Sequence, residues 1–166
     1  MSSLYHPTIN KVLLLFLFIG FVLQGCKKTT QKPVVPPTTA STFKLDGTAT
    51  TIDSVSAMLY SNGAGRQMDI YAYKGGQEVL EFHFAPTVGI KTAGTVLGSG
   101  AFLTYMESPI LSYDSQSGTL NVTVCDTIGK KVVADFNFMA KQYPYTDPAA
   151  KNITEGHISI TKINKQ

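Results

Sequence analysis

The sequence predicts an all-β fold: an antiparallel β-sandwich of about 8–10 short strands, with a lipocalin-like β-barrel as the alternative. Three observations predict it. From Thr42 onward, apolar residues recur at every second position in short runs. That period is the mark of a strand with one buried and one solvated face. Turn-forming residues separate the runs at intervals of roughly 8 to 12 residues, the spacing of sandwiches and barrels. Finally, no segment sustains a helical period.

The elements follow in order. Phe43 and Leu45 alternate ahead of an Asp46-Gly47 turn. Ser54 to Tyr60 is a short run closed by Ser61-Asn62-Gly63-Ala64-Gly65. In Arg66 to Lys74, Met68, Ile70 and Ala72 face the core, and Asp69, Tyr71 and Tyr73 face outward. Gly75-Gly76 is a hairpin signal, because two glycines admit the positive φ angles of a tight turn. Gln77 to Ala85 turns Leu80, Phe82 and Phe84 inward, and Val79, Glu81 and His83 outward. Pro86 to Gly100 is rich in Gly and Thr and reads as a long loop or a weak edge strand. Gly118 to Cys125 places Leu120, Val122 and Val124 inward, against Asn121, Thr123 and Cys125. Lys131 to Ala140 turns Val132, Ala134, Phe136 and Phe138 inward. Lys141 to Lys151, with Pro144 and Pro148, reads as a loop with one helical turn near Ala149-Ala150. The last run pairs Ile158 with Ile160.

The start of the chain has a different character. Lys11 is the only charged side chain in Met1 to Lys11, and the uncharged run Val12 to Leu23 follows. As a helix that run is about 18 Å long, short of the roughly 30 Å of a bilayer core, and it has the length of a signal-peptide apolar region. Leu23-Gln24-Gly25-Cys26 comes directly after it. This tetrapeptide resembles the lipobox of bacterial lipoproteins: an aliphatic residue, a tolerant position, a small residue, then the Cys that is acylated. The resemblance implies residues 1–25 as signal peptide and Cys26 as the lipidated N-terminus, anchored to the membrane through its acyl chains. Residues 26–41 then form a flexible Pro/Thr/Lys tether with too little apolar surface to fold, and residues 42–166 form the all-β domain. Lys27 stands where the best-known inner-membrane retention signal puts Asp, and no acidic export cluster follows Cys26. By resemblance the address is the outer membrane, facing the periplasm.

The end of the chain also carries a resemblance. Gly118, Leu120, Val122 and Asp126, then Phe136-x-Phe138, then Ile153-Thr154-x-Gly156-x-Ile158 follow the pattern of an uncharacterised family of Bacteroidetes-type lipoproteins. The likeness covers roughly Phe43 to Ile163. It implies the fold and the address, and no activity.

Composition narrows the partners. The formal net charge is +3, but Lys11 leaves with the signal peptide and Lys27, Lys28 and Lys32 lie in the tether. The domain is near neutral with no basic stripe along a strand or helix, so nucleic acid is not an expected partner. Of the two cysteines, Cys26 is consumed by acylation and Cys125 remains, so no internal disulfide is expected.

The search for chemistry returns little. No phosphate loop, nucleophile elbow or paired-Cys site occurs, and no cofactor is expected. Glu81 and His83 share a strand face, but a metal site needs a third and usually a fourth ligand. Cys125 reads as a passive thiol, because no cation or helix N-terminus is visible to stabilise a thiolate. No catalytic residue is assigned, and a non-enzymatic binding or scaffold module is expected. Tyr71 and Tyr73 lie two residues apart on one face and are the candidate ligand contact, for a glycan or an envelope protein. Tyr143 and Tyr145 repeat the spacing in a loop. Asp53-Ser54-Val55 and Asp126-Thr127-Ile128 resemble the O-glycosylation acceptor of Bacteroidetes-type periplasmic proteins, with Ser54 and Thr127 as acceptors.

Overall fold

The structure is a computed structural model that describes residues 40–62, 65–95, 100–146 and 148–165. All of these belong to one compact unit, Pro37–Gln166. The expected signal peptide, Cys26 and nearly all of the expected tether lie outside the described residues.

The described chain is all β. Its strands are β1 (Thr42–Leu45), β2 (Thr48–Thr51), β3 (Ser54–Asn62), β4 (Gly65–Lys74), β5 (Gln77–Phe84), β6 (Gly89–Thr92), β7 (Ala101–Ser108), β8 (Leu111–Asp126), β9 (Lys131–Lys141), β10 (Lys151–Ile160) and β11 (Ile163–Lys165). They form one hydrogen-bonded sheet in the order β11-β3-β4-β5-β7-β8-β9-β10-β1-β2, with β6 beside the second half of β8. Every strand pairing is antiparallel except β11 with β3, so the sheet is mixed where a purely antiparallel one was expected. Pro148 to Ala150 is irregular and contains no helical turn.

The sheet is curled and open, a half-barrel, and two distances demand the curl. β10 connects to β11 through Thr161 and Lys162 alone, although six ladder spacings separate β10 from β3, the partner of β11. In a flat sheet those spacings would be about 29 Å, whereas three Cα steps reach at most about 11 Å. Likewise Phe82 on β5 meets Phe136 on β9 with ring centroids 4.8 Å apart, edge to face. Three ladder spacings would hold them about 14 Å apart if the sheet were flat.

The concave face is the core. Met68, Ile70, Leu80, Phe82, Leu103, Leu120, Val132, Phe136, Ile153 and Ile158 are all buried there. The alternation predicted for β4, β5 and β9 holds: Met68, Ile70 and Ala72, then Leu80, Phe82 and Phe84, then Val132, Ala134, Phe136 and Phe138 are buried. The Pro86 to Gly100 stretch contains β6, a four-residue strand.

The end of β8 departs from expectation. A register shift between Val122 and Val124 inserts an extra residue into the ladder with β9. One extra residue reverses the facing of everything beyond it. Cys125, expected outward, therefore stands opposite the buried Val132 and packs against the core. Val124 is only partly buried.

Candidate functional site

The outer face of β3, β4 and β5 carries a polar network, and antiparallel register assembles it. Asp69 stands opposite Met58 on one side and His83 on the other, while Gln67 faces Tyr60 and Tyr71 faces Glu81. Alternation puts all of these side chains on the face opposite Ile70 and Phe82. Asp69 is on the outward face, as alternation predicts, yet it is only 4% exposed. Its neighbours close over it. Tyr60 Oη donates to Asp69 Oδ2 at 2.6 Å. Gln67 Nε2 donates to Asp69 Oδ1 at 2.9 Å and to Tyr60 Oη at 3.0 Å. His83 Nδ1 lies 2.7 Å from Asp69 Oδ1, and His83 Nε2 lies 3.0 Å from Glu81 Oε1. The Tyr71 hydroxyl is 3.5 Å from Asp69 Oδ2, a long contact.

The electrostatics follow from this geometry. Both ring nitrogens of His83 face carboxylates, so both must carry protons. The hydrogen bond to Glu81 is the main cause, burial opposes it, and Asp69 adds to it; together they push the imidazole up to about 8. Burial alone would raise the Asp69 carboxyl, but hydrogen bonds from Tyr60, Gln67 and His83 outweigh it and hold the group below its ordinary range. The Tyr60 hydroxyl is raised to about 12, first by its bond to Asp69 and then by burial. Tyr71 also rises to about 12, first through burial and then through the charges of Asp69, Glu81 and Glu78.

The network therefore holds protonated phenols, an anionic hub and an imidazolium. Nothing in it is poised as a nucleophile. Among the described residues no group of three acidic, His or Cys side chains is arranged to hold a metal ion.

A pH dependence follows. The folded His83 titrates near 8, above its ordinary 6.5. Its contribution to stability is complete below about pH 6.5 and is lost as pH rises through 8. We predict that the melting temperature falls across that window by the equivalent of about 1–2 kcal/mol. His83→Asn should flatten the curve between those pH values. A wild-type curve as flat as the variant's would refute the imidazolium assignment.

The other predicted residues are placed as follows. Tyr71 and Tyr73 are half-buried on the outer face of β4, and Tyr73 stands opposite Ser54. Ser54 is exposed as the first residue of β3. The preceding Asp53 carboxylate accepts the Gly75 N–H at 2.6 Å, which fixes that corner to the β4–β5 turn. Thr127 sits in the β8–β9 turn, where Oγ1 accepts from Arg66 Nη2 at 3.3 Å. Cys26 lies outside the described residues. The Cys125 thiol is raised, chiefly by burial, even though Lys91 and Arg66 oppose the rise. Tyr143 and Tyr145 meet edge to face at 5.5 Å, and Tyr145 Oη donates to Asp114 Oδ2 at 2.9 Å.

A second feature was not expected. A groove of about 500 Å³ crosses the outer face of β8, β9 and β10, lined by Asn121, Asp135, Asn137, Glu155 and His157, with Ile90 of β6 at its edge. Asn121, Asp135 and His157 form one cross-strand row, and His157 Nδ1 is 2.7 Å from Asp135 Oδ1. Alternation marks Asn121, Asp135 and Asn137 as outward, but their juxtaposition depends on a register that no single strand reveals.

No family model, no curated protein and no solved structure matches this chain.

Proposed function

We propose that this chain is a lipid-anchored cell-envelope protein, acylated at Cys26, whose β domain binds a ligand on its outer face and catalyses nothing. The observation that carries the binding reading is the Asp69 network. A buried, fully satisfied polar cluster rigidifies the surface it supports. Here it fixes Tyr60 and His83 beside Tyr71 on the outer face of a sheet whose other face is committed to the core. Tyr71 and Tyr73 are the contact residues of this reading. Their flat rings with polar tips suit a glycan, and an envelope protein is the second partner class. The lipobox-like Leu23-Gln24-Gly25-Cys26 supports the anchor, and Lys27 supports an outer-membrane address facing the periplasm. Ser54 and Thr127 are the O-glycosylation acceptors of this reading.

The alternative, a lipocalin-like carrier of a small apolar ligand, needs an open interior. The Phe82–Phe136 contact at 4.8 Å speaks against it, because the rings occupy the space a carrier would keep free. That contact supports a reading in which the two walls of the curled sheet pack on each other as the sheets of a β-sandwich do.

The test is retention on immobilised envelope polysaccharides. Tyr71→Ala with Tyr73→Ala should abolish retention and lower stability by about 1–2 kcal/mol, as for half-buried aromatic rings. Tyr143→Ala, a change in the other tyrosine pair, should leave retention unchanged. Undiminished retention by the Tyr71/Tyr73 variant would remove those residues from the contact.

A further inference from the structure

One end of the sheet gathers exposed cations around an exposed aliphatic side chain. The β8–β9 turn runs Asp126-Thr127-Ile128-Gly129-Lys130. Asp126 Oδ1 accepts the N–H of Ile128 at 3.0 Å and of Gly129 at 2.7 Å, so the turn is held from within. At its apex Ile128 is 89% exposed. Lys130 and Lys131 follow directly, and Arg66 is tied to Thr127 in the same turn. Ile160, the end of β10, stands opposite Val132, and Lys162 lies two residues beyond it. Lys165 ends β11, which lies beside β3. All five cations are exposed. Among the described residues, the ion pairs are Lys44–Glu155, Lys151–Glu107 and three involving His83 or His157, and none uses these five. The one carboxylate in the turn, Asp126, is occupied by backbone N–H groups.

The acidic residues Asp46, Asp53, Glu78 and Glu107 cluster toward the opposite ends of the strands, near the β1–β2, β4–β5 and β7–β8 turns. Lys44, Lys74, Lys141 and Lys151 share that end with them, and Lys44 and Lys151 are paired with Glu155 and Glu107, so charge there is mixed whereas cations prevail at the end that holds the β8–β9 turn. The described chain also begins beside the basic end. Ser41 Oγ accepts the Ser159 N–H at 3.1 Å, and Ser159 stands opposite Val133, two residues from Lys131.

We infer that this end docks on an anionic phospholipid bilayer, with Ile128 entering the headgroup boundary and Arg66, Lys130, Lys131, Lys162 and Lys165 facing the phosphates. An exposed apolar residue with unpaired cations at the same end of the sheet is complementary to such a surface in both respects. The biological setting rests on the anchored reading, since the acyl chains of Cys26 would keep the domain within reach of the bilayer. The contact itself requires no acylation, and that separates the two claims.

The test uses the unacylated chain of residues 26–166 carrying Cys26→Ser, which contains all eleven described strands, with circular dichroism confirming the β spectrum. It should sediment with vesicles containing phosphatidylglycerol and stay in solution with vesicles of phosphatidylcholine alone. Near an anionic surface each lost cation weakens binding about fivefold, so Lys130→Ala with Lys131→Ala should weaken it by more than tenfold. Ile128→Ala should weaken it further. Ile110 is 97% exposed but lies in the turn before β8, at the other end of that strand, so Ile110→Ala should have no effect. Equal binding to the neutral vesicles, binding to neither, or equal loss from Ile110→Ala and Ile128→Ala overturns the proposal. None of those results bears on acylation, which the mass of the membrane-extracted protein decides separately.

Discussion

Cys26→Ser is expected to convert a membrane-bound protein into an uncleaved precursor without lipid. The argument is chemical. The diacylglyceryl group is carried on a sulfur, and a serine hydroxyl is not a thiolate equivalent at neutral pH. Processing of a lipobox-like site follows acylation, so the variant should retain residues 1–25. Wild-type protein extracted with detergent should have the mass of residues 26–166 plus a diacylglyceryl group and a third acyl chain. Each buried methylene contributes about 0.8 kcal/mol, so two or three chains hold the protein where one would release it. The expected change in membrane retention is therefore close to all or none. Recovery of the unmodified full-length chain from wild-type cells would sink both the lipobox reading and the anchor. Cys125 offers no substitute, since it is packed against the core.

The strands were legible in the sequence where alternation, a local signal, is clean. The strands β4, β5 and β9 could be read because their inward positions are all apolar and their outward positions mostly polar. β7 could not, because Leu103, Thr104 and Tyr105 are buried consecutively, which breaks the period of two. The first half of β8 hides in the same way. Its inward positions are Tyr113 and Ser115, and Ser115 is buried by donating to Gly94 O at 2.9 Å and accepting from Leu103 N at 3.1 Å. Cys125 was misplaced because a bulge leaves no mark in the residues themselves. The parallel pairing of β11 with β3 joins segments about a hundred residues apart through three residues, which no periodicity can announce. The Asp69 hub was half visible. Alternation grouped Asp69, Tyr71, Glu81 and His83 as outward, but only the register of β3 against β4 brings Tyr60 over the carboxylate.

Phe136→Ala should have the largest effect on stability of any substitution considered, about 3–5 kcal/mol, as for a buried aromatic ring truncated without collapse of its site. The ring is 2% exposed and lies at the centre of the curl. It meets Phe82 from across the sheet at 4.8 Å and Phe138 on its own strand at 6.4 Å. It also covers Gly156, its direct partner on β10, so closely that any Cβ there would strike the ring. Removing the ring thus opens a void against three strands, β5, β9 and β10, and exposes glycine backbone that has no side chain of its own to fill the gap. A domain of this size has a total stability of only about 5–15 kcal/mol, so a large share would be lost. The partner change tests the same contact from the other side. Gly156→Val places a branched side chain where the ring already lies, and should also destabilise by several kcal/mol through overpacking. If the contact is what couples them, adding Phe136→Ala to Gly156→Val should cost much less than it does alone, because the smaller residue makes room for the larger. Chemical denaturation of the four proteins gives the coupling directly. Strict additivity would mean that the ring does not cover Gly156, and a loss below about 1 kcal/mol for Phe136→Ala would mean that the interior is more open than a filled core allows.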